Sequence, residues 1–190
     1  TQALYGGKIR YVHVRSMNDG SFRQFYEKVI GKHSDKQALV VDTRFNGGGW
    51  LHDDLVTLLS GEAYCWLEPR GQKLASEPLG KWKNPSAVLM GESNYSDAHM
   101  FPYAYKALGI GKLIGMPVPG TGTAVWWERL QNPRLVFGIP QVGVRDIDGD
   151  YLENKQLEPD IRVKNMPGTV SKGRDQQLER AIEELMEGIE

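Results

Sequence analysis

Ala38-Leu39-Val40-Val41-Asp42-Thr43-Arg44-Phe45-Asn46-Gly47-Gly48-Gly49-Trp50 is the stretch on which the fold turns. Residues 38–42 form a short continuous apolar run closed by an acid, the pattern of a central parallel strand buried on both faces. Three successive glycines follow. With no Cβ they permit positive φ and leave bare N–H groups able to hold a phosphate, a carboxylate or an oxyanion. A tight turn explains a glycine run equally well, and the Lys and spacing of a P-loop are missing. Leu51, Leu55, Leu58 and Leu59 then fall at helical spacing, so the unit reads strand, glycine turn, helix.

The same unit recurs on either side. Ile9 to Val14 alternates apolar and polar residues as a half-buried strand does, and Ser21 to Ile30 follows at helical spacing behind Ser21 as candidate N-cap. Ala87 to Met90 predicts a second buried strand, followed by a turn and a helical stretch from Met100 to Leu108. Lys112 to Gly115 and Leu135 to Ile139 predict further strands, with Val125-Trp126-Trp127 between them, and Lys172 to Glu190 an amphipathic helix. The alternation argues a single α/β domain with a mostly parallel sheet flanked by helices.

The 190 residues suffice for one such domain, and a net charge of −1 supplies no basic field for nucleic acid. No apolar run approaches the length of a membrane span. The lone Cys65 rules out an internal disulfide and a Cys-rich zinc site, and reads as a buried small residue. The start, Thr1-Gln2-Ala3-Leu4-Tyr5, shows no targeting pattern, fits a piece of a longer protein, and leaves the compartment open.

The second turn of interest is Met90-Gly91-Glu92-Ser93-Asn94-Tyr95-Ser96-Asp97-Ala98-His99-Met100-Phe101. A hydroxyl at a helix N-terminus after a strand lies near the positive end of the helix dipole, with the next N–H free to donate. Ser96 could equally be a plain N-cap. Pro102 should kink the helix or delay its start.

Together these segments resemble the tail-specific, or C-terminal processing, serine peptidases, in their tricorn-like branch. Residues 41–49 match the family's Asp-Leu-Arg-x-Asn-x-Gly-Gly turn, and Ser96-Asp97-Ala98-His99-Met100-Phe101 its nucleophile helix. Residues 115–122 match its glycine-rich loop, and Leu152-Glu153-Asn154-Lys155-Gln156-Leu157-Glu158-Pro159-Asp160-Ile161 its closing signature. The order is the family's, over roughly residues 8 to 165.

The resemblance implies a crotonase-like or ClpP-like fold of stacked β-β-α units and a serine endopeptidase acting on peptides or unfolded polypeptide ends, without metal or organic cofactor. Ser96 would be the nucleophile, and the N–H of Asp97 with that of Gly48 or Gly49 the oxyanion donors. Where Ser-Lys relatives carry the general-base lysine, this chain has Thr121, whose hydroxyl cannot accept a proton near neutral pH. In the tricorn-like pattern a histidine comes instead from a subdomain upstream of a PDZ insertion, and Glu153, with Asn154 as the alternative register, would orient it. Such a chain alone would be nearly inactive, and could belong to a homo-oligomer.

Of the chain's own histidines, His13 reads as a sheet residue and His33 as solvent-exposed; His52 could line the cleft, and His99 should point away from it. Trp66, Trp82, Trp126 and Trp127 read as core or subunit contacts, Asp146-Ile147-Asp148-Gly149-Asp150 as a hairpin turn, and Glu158 as a solvated charge. Two alternatives stand beside the peptidase: a non-catalytic assembly domain of the same fold, and a crotonase-type acyl-CoA enzyme.

Overall fold

Leu39 and Val41 pack into one hydrophobic core while Ala38 and Val40, one residue out of phase, pack into another. That double duty is why the run is continuously apolar. In the computed structural model, which describes residues 6–31 and 36–189, this strand is β2 (Ala38–Asp42), all five residues buried. The other sheet strands are β1 (Ile9–His13), β5 (Ser86–Met90), β6 (Lys112–Gly115) and β9 (Ile161–Arg162). They pair in parallel in the order β1-β2-β5-β6-β9. Val88 and Met90 of β5 face the first core, Ala87 and Leu89 the second.

The helices α1 (Asp19–Tyr26), α2 (His52–Leu59) and α3 (Asp97–Ala107) supply Phe25, Leu55 and Phe101 to the first core. The last helix, α4 (Gln176–Glu187), covers the opposite face with Ala181, Ile182 and Leu185. The sheet is thus sandwiched between helical layers, as expected for an α/β domain with a mostly parallel sheet.

Two antiparallel ribbons stand outside the main sheet: β3 (Cys65–Leu67) with β4 (Ala75–Glu77), and β7 (Ala124–Arg129) with β8 (Val136–Val142). Cys65 lies exposed on the first, so it is not a core residue. Trp66, Trp126 and Trp127 are likewise exposed, and only Trp82 of the five tryptophans is buried. Alternation on a ribbon without a second layer leaves both faces open, which local sequence does not disclose.

Three further boundaries differ from expectation. Asn18, not Ser21, caps α1: its side chain accepts from the Ser21 N–H at 3.0 Å. The predicted helix changes to a π turn over Glu27–Gly31. Helix α3 begins at Asp97 and runs through Pro102. The carbonyl of Ala98, which a proline four residues on cannot serve, instead accepts from Asn94 Nδ2 at 3.1 Å. His33 lies outside the described residues.

An ionic strut ties α4 to the end of β2. Arg44 donates to Asp42 Oδ2 at 2.6 Å and to Asp175 Oδ2 at 2.7 Å, with Asp42 almost wholly buried. Burial would raise the Asp175 carboxyl's pKa, but hydrogen bonds from Arg44, Asn165 and the Leu178 N–H outweigh it and hold it below its ordinary value. A depressed carboxylate stabilises the fold above its unfolded pKa and stops doing so as pH falls through the folded one. Acid should therefore loosen α4 first, below about pH 4. In Asp175→Asn, stability followed by circular dichroism should vary less over that window; an unchanged acid limb would contradict this role.

Candidate active site

Ser96 sits where the β5–α3 turn becomes helix, with φ +54° and ψ −119°. A residue with a Cβ held there stores about 1–3 kcal/mol of strain. Its side chain makes no capping bond, so the N-cap explanation of this serine fails. Its own N–H donates to Thr121 Oγ1 at 3.2 Å. Thr121 therefore stands beside Ser96 as expected and anchors its backbone, and no lysine among the described residues bonds to Ser96. Ser96→Gly should relieve the strain and raise stability by about 1 kcal/mol net of glycine's entropy, or about 2–4 °C in Tm. Ser96→Ala, which keeps its Cβ, should not; equal Tm shifts in the two would refute the strain.

The glycine turn presses against this serine. A Cβ on Gly48 would lie 2.7 Å from both Ser96 Cβ and the Tyr95 carbonyl oxygen, and 3.0 Å from the Asp97 nitrogen. Only glycine allows the two turns to touch so closely. The buried Asn46 organises the loop: Nδ2 donates to the Val14 carbonyl at 2.8 Å, Oδ1 accepts from the Gly48 N–H at 2.8 Å, and its carbonyl accepts from the Tyr95 N–H at 3.0 Å. The Gly48 N–H, one of the candidate oxyanion donors, is thus engaged by Asn46 in this structure. The N–H groups of Gly49 and Asp97 have no partner among the described residues.

Between the turns opens a cleft of about 570 Å³ lined by Gly49, His52, Ser96, Asp97, Met100 and the aromatic pair Trp126 and Trp127. Asp97 is buried, and its carboxylate accepts from the Leu51 N–H at 2.6 Å, the His52 N–H at 3.1 Å and His52 Nδ1 at 2.5 Å. The Asp97 hydrogen bond raises the pKa of His52 against the opposing effect of burial. Neither the pairing nor the carboxylate's grip on α2 could be read from one-dimensional spacing.

The other described histidines, His13 and His99, lie elsewhere. His13 Nε2 contacts the Arg44 carbonyl at 3.2 Å. His99 is buried beneath Gly122, its Nδ1 unpartnered, and burial lowers its pKa. Glu153 is exposed in the turn whose Asn154 N–H donates to the Gly120 carbonyl at 2.8 Å, next to Thr121. It makes no hydrogen bond to Ser96 among the described residues. Asp146 accepts from the Asp148 and Asp150 N–H groups, the hairpin-turn geometry expected of that acidic segment.

A serine in a strained conformation beside two unpartnered amides is not an ordinary helix cap. The model of peptidase family S41 matches residues 8–163, and the chain belongs to that family. It is 29% identical over 184 residues to tricorn protease of Thermoplasma acidophilum, covering 96% of this chain and 17% of that one. It is also 29% identical over 186 residues to tricorn protease homolog 1 of Streptomyces coelicolor, covering 97% of this chain and 17% of that one. A crystal structure of the tricorn protease superposes with a TM-score of 0.88 at 28% identity, covering 99% of this chain and 18% of that chain. The chain thus spans under a fifth of these relatives' length.

Proposed function

We propose that residues 1–190 are the catalytic core domain of a tricorn-like serine endopeptidase, on a crotonase-like or ClpP-like plan, that hydrolyses peptides or unfolded polypeptide ends. The observation that carries this reading is the strained Ser96 beside the unpartnered Asp97 and Gly49 amides. Ser96 Oγ attacks the scissile carbonyl carbon while an imidazole takes its proton. The carbonyl oxygen becomes an oxyanion held by the two amides, each such donor being worth about 3 kcal/mol. Collapse expels the amine, which receives the proton from the imidazolium, and water then hydrolyses the acyl-enzyme by the same relay.

The imidazole comes from outside this chain, from an upstream His-bearing subdomain followed by a PDZ domain, and Glu153 orients it. Thr121 aligns with the position where Ser-Lys relatives carry their base, and the described histidines, His13, His52 and His99, bond elsewhere or lie buried. Assembly into a homo-oligomer fits the same relatives. The test is covalent: a fluorophosphonate should label the peptidase that includes the upstream subdomain, and mass spectrometry should find the adduct on Ser96 and none in Ser96→Ala. Labelling that persists in the variant, or none in either protein, would overturn the assignment.

A further inference from the structure

The residues that carry the two unpartnered amides are joined by something other than backbone. Asp97 offers one amide, and its carboxylate reaches across to take three hydrogen bonds from the two residues that begin α2, directly after Gly49 and Trp50. One end of this clamp is the residue after the strained serine; the other lies two residues beyond the second amide. With Gly48 packed against the Asp97 nitrogen, the spacing of the two donors is fixed from both sides. We propose that His52 is a positioning residue for the oxyanion site, holding the Gly49 and Asp97 amides in register through Asp97 and, as an imidazolium, cancelling the Asp97 charge that would otherwise face the developing oxyanion.

Three observations support this. Because a carboxylate only accepts, His52 Nδ1 carries its proton toward Asp97, which fixes the ring and leaves Nε2 without a partner among the described residues. Asp97 is 4% exposed, so its charge is poorly screened by water, and its backbone nitrogen is one of the two donors. The charged neighbours of the ring are Asp97 from α3 and Asp53 and Asp54 from α2 itself; among described cleft-lining residues, His52 and Asp97 are the only His, Lys, Arg, Asp or Glu. These carboxylates favour the imidazolium to a higher pH than for a free histidine. Once it deprotonates, a buried negative charge stands beside the place where a second one must form, and turnover falls.

This inference rests on the peptidase reading only for its kinetic arm. In the 190-residue chain, the ¹⁵N shifts of the Gly49 and Asp97 amides should titrate together with the His52 ring, and in His52→Gln, which keeps a donor to Asp97 without a titrating charge, neither should. Amides that ignore the His52 midpoint, or that titrate alike in the variant, would overturn the clamp. In the complete peptidase, His52→Gln should lower kcat by about 10- to 100-fold with KM changed less than about threefold, and should remove the alkaline limb of the kcat–pH profile. His52→Leu, which removes both donor and charge, should lower kcat further. A rise in KM at constant kcat, or an unaltered alkaline limb, would sink the proposal. A complete peptidase without Ser96-dependent turnover would fail the peptidase reading alone, and the amide titration would still decide the clamp.

Discussion

Residues 1–190 on their own are expected to hydrolyse a peptide at no more than about 1% of the rate reached with the base-bearing subdomain supplied, because general-base help is worth about 10²–10⁴-fold. A serine hydroxyl is a poor nucleophile at neutral pH unless something takes its proton. His13 is occupied at the Arg44 carbonyl, His99 is buried, and His52 is tied to Asp97 without a bond to Ser96. The proposed oxyanion donors, the Gly49 and Asp97 amides, lie within the isolated chain, so the residual rate should still depend on Ser96. Free imidazole should raise it in proportion to concentration, and Ser96→Ala should abolish that rescue. Full turnover by the isolated chain, unaffected by imidazole, would place the base inside it and make His52 the first candidate.

The largest loss of stability is expected from Gly49→Ala. The residue has φ +144°, and a Cβ there would stand 1.9 Å from the Met17 carbonyl oxygen and 2.7 Å from its carbon. Those atoms are backbone, held by the Trp50 N–H donating to the same carbonyl at 2.8 Å, so no rotamer change relieves the overlap. The cost should reach roughly 4–5 kcal/mol, at the upper end of single substitutions. Gly47→Ala, two residues away, is the control: no atom lies within 4 Å of its added Cβ. It should change stability by about 0.5 kcal/mol or less. Urea unfolding of the two variants measures the contrast, and similar midpoints would mean that the glycine turn is not held as described.

Legibility followed the range of the interactions. Strand β2 matches the apolar run of residues 38–42 because burial on both faces leaves an unmistakable local mark. Helix α4 was legible from its periodicity, and Thr121 beside Ser96 from an alignment of short motifs. The start of α3 was not, because Pro102 argues locally against a helix that Asn94 repairs from outside it. Nor were the strained φ of Ser96, the Asn46 bonds that consume the Gly48 amide, or the Asp97 grip on α2. Asp97 and Leu51 are 46 residues apart, and only the packed sheet brings them together. Three glycines in a row announce a special backbone without saying which of their amides is already engaged.

The β7–β8 ribbon gives the cleft walls of unequal firmness. One wall, the two turns, grows from buried central strands; the other carries Trp126 and Trp127 on two strands that pair with no third among the described residues. A lone two-stranded ribbon is marginal in water, so its amides should exchange with deuterium through local opening, while those of β5 wait for global unfolding. The entrance can therefore widen and narrow while the turns that carry the proposed oxyanion donors stay still, so that on the proposed function admission and chemistry would run on separate clocks.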